Sequence, residues 1–275
     1  MLAAAVTAAV TGLLTSALTS TPRAIRSAVG GRQAAPTVDA PIVTHVEEVN
    51  AEAACQGMNG SVYPRPLEAL VGYGSWLHGP QAQNEEAFDQ QTKRWKAQHG
   101  AVTADYSRLI VTVQGRSDAA VLLTGLRFHV ARRDPPLQGI HIVPLGQCGD
   151  EAVRKFAVDL DKAQPTTKPI GSYPEANGKV PVSRFPYKVS RGDPEYIELV
   201  AYTRTHECTW TATLDWVADG KPGSTALTGE GGAPFRVTST RNASAYQYDY
   251  GGPDNETLRR APDLDWKAEV PDEAR

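Results

Sequence analysis

Between Asp105 and Leu145 the hydrophobic positions alternate in three successive runs. Leu109, Val111 and Val113 interleave with Ile110, Thr112 and Gln114. After Gly115-Arg116-Ser117-Asp118, Leu126, Phe128 and Val130 interleave with Arg127, His129 and Ala131, and after Pro135-Pro136, Ile140 and Ile142 flank His141. A period of two marks a strand buried on one face. Short turns between such runs predict three strands paired as antiparallel neighbours. Tyr196 to Thr205 and Cys208 to Val217 repeat the pattern and predict a hairpin. In its second arm Trp210, Ala212, Leu214 and Trp216 face inward, with Thr209, Thr211, Thr213 and Asp215 outward. Asp219-Gly220-Lys221-Pro222-Gly223 turns the chain into Ser224 to Thr228, and Gly229 to Gly232 turns it into Phe235 to Ser239. Ile42 to Val49 and Tyr187 to Ser190 read as further strands. Many short strands divided by turns predict a mainly β protein, an antiparallel β-sandwich. Val153 to Ala163 fits no template, and Pro165 to Pro181 reads as a long loop.

The helical period is rarer. Asn84 to His99 predicts one helix, with Asn84 as cap, Glu85 and Glu86 in the first turn, Lys93, Arg94, Lys96 and His99 near the end and Gly100 closing it. Phe88 and Trp95 share a face, so the helix lies over a sheet. Leu2 to Leu18 is an uncharged apolar run, diluted by threonine, serine and glycine. Its length is marginal for a spanning helix, and no basic residue precedes it as a signal peptide needs. Residues 1–20 are expected to form a membrane anchor, with a signal segment and secretion as the alternative, and the missing basic flank questions whether Met1 is the true start. Arg23, Arg26 and Arg32 alone favour a cytoplasmic C-terminal side, but a long β domain crosses largely regardless of such charges, and with a possible disulfide the expectation is a domain outside. Residues 21–50, with Ala34-Ala35-Pro36 and Ala40-Pro41, read as a linker. Residues 51–250 form the sandwich, and 251–275 an acidic, proline-punctuated disordered tail.

Composition narrows function mainly by exclusion. The 275 residues are 41% hydrophobic with a formal charge of -3 and no basic stripe, so no nucleic-acid partner is expected. Cys55, Cys148 and Cys208 lie far apart, which is poor zinc spacing. An odd count permits one disulfide, and the expected pair is Cys148 with Cys208, both placed in polar loops at strand ends.

Candidate chemistry is sparse. His206-Glu207-Cys208 gathers three ligand types, but strand neighbours point to opposite faces. His45, Glu47 and Glu48 make no better metal site. Gly72-Tyr73-Gly74-Ser75-Trp76 lacks the second glycine of a nucleophile elbow. Arg191-Gly192-Asp193-Pro194 is a turn, and Glu52-Ala53-Ala54-Cys55 lacks the apolar run of a lipidation site. Asn59, Asn242 and Asn255 open glycosylation sequons. Tyr246, Tyr248 and Tyr250 alternate and would line one face of a strand. Exposed, they would stack on sugar rings; the favoured alternative is a last strand whose tyrosines cover the core edge.

The stretches Leu109 to Gly115, Leu123 to Phe128, Arg132 to Leu137, Phe185 to Val189 and Thr213 to Trp216 resemble uncharacterised membrane-anchored β-rich proteins of actinobacteria. The resemblance spans about Ala101 to Val237 and implies no activity, so no site residue is carried over from it. With no acid/base pair, nucleophile group or metal cluster of convincing spacing, the expectation is a non-enzymatic interaction or sensing module. No cofactor is expected. The expected partners are the membrane, through the N-terminal helix, and a protein or cell-wall glycan, a glycan-binding module being the alternative function.

Overall fold

The computed structural model describes residues 40–50, 52, 59–70, 72–73, 85–143, 154–170, 184–248 and 258–261. They form two mixed sheets. The five-stranded sheet runs in the order β1 (Ile42–Glu48), β4 (Tyr106–Gly115), β10 (Glu195–Tyr202), β7 (Arg154–Asp159), β8 (Thr167–Ile170). The ten-stranded sheet runs β15 (Leu258–Arg260), β14 (Ala243–Tyr248), β6 (Gly139–Val143), β2 (Ser61–Tyr63), β3 (Val102–Ala104), β13 (Phe235–Thr238), β11 (Glu207–Ala218), β5 (Val121–Asp134), β9 (Tyr187–Val189). In it, β12 (Lys221–Leu227) shares one edge of β11 with β13. The protein is mainly β, as its alternation predicts. The pairing is not wholly antiparallel, because β7–β10, β3–β13 and β6–β14 run parallel.

One apolar core joins the two sheets. Leu109, Val111 and Val113 of β4 and Ile197 and Leu199 of β10 meet Trp210, Ala212 and Leu214 of β11 and Val121 and Leu123 of β5. The inward phase of β11 is thus the expected one. It also includes Cys208, two residues earlier, which is wholly buried. Phe128 and Trp216 pack at the rim of this core and are only partly buried.

The three strands predicted as neighbours do not pair with one another: β4 lies in the five-stranded sheet, and β5 and β6 lie apart in the ten-stranded one. β4 pairs with β1 and β10, β5 with β11 and β9, and β6 with β2 and β14. The turn after β4 does not close on itself. Gly115 N donates to Ser190 O at 3.2 Å, and the Arg191 N–H and guanidinium donate to Ser117 O at 2.8 Å and Arg116 O at 2.7 Å. With its polar groups satisfied by the 190–193 turn, the segment carries the chain across the core rather than back along β4. The expected β10–β11 hairpin likewise does not form, since β10 and β11 lie in different sheets. A two-residue hairpin does join β11 to β12. Asp219 and Gly220 both have positive φ, 49° and 71°, as a type I′ turn requires.

A third crossing is made by one residue. Asp105, with φ 54°, links β3 of one sheet to β4 of the other. Aspartate tolerates this conformation better than most residues. Its N–H donates to Thr238 O at 2.7 Å, its carbonyl accepts from Thr203 N at 2.9 Å, and its carboxylate accepts from Thr240 N at 2.8 Å. Burial pushes the Asp105 carboxyl upward against the Thr240 bonds.

The ten-stranded sheet extends past the main core. There Tyr63, Leu70, Tyr73, Ile140 and Ile142 form a second cluster, against which Phe88 and Trp95 of helix α1 (Glu85–His99) pack. Gly100 ends α1 at φ +67°, and Ala101 N donates back to Lys96 O at 2.9 Å, so the predicted helix and its stop are found. Asn84, the expected cap, lies outside the described residues.

The stretch that fits no template, the expected loop and the expected disordered tail each contribute a strand. Residues 154–159 form β7, and the expected loop after Pro165 contributes β8. The expected tail contributes β15, which pairs with β14. Among the described residues no helix is long and apolar enough to cross a membrane, and the expected anchor at 1–20 lies outside them.

Candidate functional site

The surface between α1, the end of β1 and the Gly229–Gly232 turn forms an open groove of about 960 Å³. Its charged lining is Glu47, Glu86, Asp89 and Glu230 against Lys93 and Arg94, four carboxylates to two cations. The helix supplies most of these charges because one face is committed to Phe88 and Trp95, which leaves the charged positions on the other. Asn50 Nδ2 donates to Asp89 Oδ1 at 2.7 Å and ties the segment after β1 to the helix. Lys93 Nζ lies 3.6 Å from Glu230 Oε2, with both side chains largely exposed, so this pair contributes little.

A second polar cluster sits where β10 crosses to β11. Asp161 Oδ1 accepts from His206 Nδ1 and from Thr203 Oγ1, each at 2.7 Å, and Oδ2 accepts from Arg204 N at 2.7 Å. Burial raises the Asp161 carboxyl, but the bonds from His206, the Arg204 amide and Thr203 outweigh it and hold it below the usual range. Thr205 Oγ1 lies 2.8 Å from the same His206 Nδ1. A nucleophilic triad needs the hydroxyl on the imidazole nitrogen opposite the carboxylate. Here both meet one nitrogen, so the cluster fixes the crossing and does not activate a hydroxyl.

A third group lies beneath α1. The Glu52 side chain is buried and accepts from Tyr73 OH at 2.6 Å and Tyr63 OH at 3.2 Å. Burial, then the Glu52 charge, pushes the Tyr63 phenol well above its usual range. On the other face of β6, buried His141 donates Nε2–H to Asn59 O at 2.7 Å. Burial lowers the His141 pKa to about 4, so the ring is neutral at pH 7. Asn59 is buried and spends its amide on Ala104 O and Tyr106 O, which removes its sequon from use in the folded protein.

The expected site residues are dispersed. Tyr246 is half-buried and packs against the second core cluster, as a core-edge tyrosine does. Tyr248 lies on β14, and Tyr250 lies outside the described residues. Cys208 is not in a polar loop as expected. Its thiol is free and faces the main core, while Cys148 lies outside the described residues. Burial pushes the Cys208 thiol up to about 11. Glu207, next to it, turns away to pair with Arg236. Among the described residues no group of three His, Cys, Asp or Glu side chains is placed to hold a metal ion. Arg191-Gly192-Asp193 is the turn before β10, closed by Ser190 N donating to Asp193 O at 3.1 Å.

Sequence reasoning missed the groove. Glu86, Lys93 and Arg94 were legible only as helix-end charges, Glu47 only as a weak ligand, and Glu230 only as part of a glycine-rich turn. Asp161 fell in a stretch without periodicity, and His206 had no visible partner 45 residues upstream. The chain matches no protein-family model, no curated protein and no solved structure.

Proposed function

We propose that the chain is a membrane-tethered, sandwich-type interaction domain that acts outside the cytoplasm without catalysis. The observation that carries this reading is the groove along α1, wide, solvent-open and lined by charges of both signs. A reaction centre gathers its polar groups in an enclosed, water-poor pocket. Charges on an open surface are screened, and they serve partner choice and encounter rate. The polar clusters at Asp161 and Glu52 support the same reading, because both carboxylates are occupied in holding chain segments together. The apolar run Leu2 to Leu18 supports the tether. The alternative, a cell-wall glycan module on Tyr246, Tyr248 and Tyr250, draws less support, since Tyr246 packs on the second core cluster.

The test is photocrosslinking in cells from a probe amino acid at Gln90, on the helix beside the groove. A discrete adduct of the full chain is expected, lost when Glu86→Lys and Asp89→Lys reverse the charge. An adduct pattern unchanged by the reversal contradicts the groove as the contact surface. For the tether, a C-terminal reporter active only after export should be active, and activity of a cytoplasm-only reporter at that position reverses the topology.

A further inference from the structure

We propose that β1 is a strand-addition site for an extended, basic segment of a partner protein, whose side chains reach the groove at Glu47. This rests on the interaction reading above and names its partner class. The register fixes which backbone groups are available. Val49 N donates to Arg108 O and Arg116 N donates to Pro41 O, each at 2.9 Å. The paired residues between them run from Ile42↔Gly115 to Glu48↔Leu109. Positions 43, 45 and 47 therefore bond to β4, and Thr44, Val46 and Glu48 turn their N–H and C=O groups the other way. No strand pairs with that side among the described residues.

The other sheet edges are blunted. β8 carries Lys168 and Pro169, β12 carries Lys221 and Pro222, and β9 and β15 are three residues each. Proline, lysine and short length are the devices that stop an edge from accepting another chain. β1 has none of them. It is seven residues long, reads Ile-Val-Thr-His-Val-Glu-Glu, and leaves Val43 46% exposed.

Charge selects the partner. Glu47 is at once an outward residue of β1 and part of the groove, where carboxylates outnumber cations four to two. An added strand sets one of its side chains beside Glu47, so a basic residue at that position is favoured. A second copy of this chain would instead bring its own acidic edge and a net charge of -3.

The experiment uses the purified full chain and two labelled octapeptides, alternating Lys-Val and alternating Glu-Val. The Lys-Val peptide should bind and slow hydrogen exchange at the Thr44, Val46 and Glu48 amides, and the Glu-Val peptide should not. Thr44→Pro removes only an outward N–H and should weaken binding on the order of tenfold, with the melting temperature little changed. Glu47→Lys, an exposed change that does not threaten folding, should weaken it as well. Binding indifferent to both variants, or protection confined to other strands, overturns the edge assignment. Self-association of the wild type that Thr44→Pro abolishes overturns the partner class in favour of a second copy. No binding of the Lys-Val peptide overturns this inference, while persistence of the Gln90 adduct would leave the interaction reading standing.

Discussion

The main core and the region around Tyr63 share the ten-stranded sheet and are held by different physics. Between the sheets the buried side chains are apolar: Leu109, Val111, Ile197, Trp210 and Leu214 touch across the gap. Around Tyr63 the burial includes a carboxylate, two phenols, an imidazole and an amide. The first region is governed by volume, since a hydrophobic residue of similar size keeps most of its stability. The second is governed by partners, since each buried polar atom costs free energy once its bond is lost.

The largest expected effect lies in the first region. Trp210→Ala, at a site with no exposed surface, should cost about 3–5 kcal/mol, read as a lower urea midpoint at constant slope. Trp210→Phe should cost much less, because its indole N–H has no acceptor among the described residues. In the second region the volume-neutral change is the costly one. Tyr73→Phe removes one of the two phenol donors on buried Glu52 and should cost about 1–3 kcal/mol. If the two phenylalanine substitutions cost the same, the contrast fails.

Acid should separate the regions next. His141 titrates near 4 when folded and near 6.5 when unfolded, so between those values the unfolded chain binds the extra proton. Its contribution is complete above pH 6.5, falls as pH drops toward 4, and is constant below that. The full change is about 3 kcal/mol. The slope of unfolding free energy against pH should flatten over this window in His141→Gln. An unchanged slope would falsify the assignment of the neutral buried ring.

How far the sequence carried the fold depended on which contacts alternation reports. It marked the buried face of β4, β5 and β11, and hence most of the main core. A period of two says that a face is covered, but not whether the next strand lies beside it or across from it. β4 and β5 are linked by a short turn and still face each other across the core, because Arg191 and Ser190 take up the bonds of that turn. The β11–β12 turn was legible in place but not in extent: residues 219–223 read as the turn, whereas Asp219-Gly220 alone meets the positive-φ demand of a two-residue loop and Lys221 to Gly223 pair as part of β12. Cys208 was legible too, standing two residues before Trp210 in the same phase, yet it was assigned to a loop. The charged groove was not legible: its members come from residues 47, 86 to 94 and 230, which only the folded chain brings together.

Two smaller effects sharpen the comparison. At the rim of the main core, Gly223 lies under the Trp216 ring, and a Cβ there would stand 2.2 Å from its Cη2. Gly223→Ala should cost about 1–3 kcal/mol, and Trp216→Ala should make the same change nearly neutral in a double-mutant cycle. Additive costs would contradict the contact. Smallest in energy, the Cys208 thiol should resist alkylation by iodoacetamide at neutral pH and react fully in urea, as peptide mass mapping would read. Rapid labelling in the native protein would place it outside the core.

The central claim is that β4 and β5 belong to different sheets and oppose each other across one core. Backbone nuclear Overhauser contacts in a labelled sample test it directly. The account predicts cross-strand contacts between Thr213 and Arg127 and between Ile197 and Val111, which are paired residues of β11–β5 and β10–β4. It predicts none between the backbones of β4 and β5. A ladder of backbone contacts joining Val111 and Val113 to Leu123 and Leu126 would contradict it and restore the hairpin.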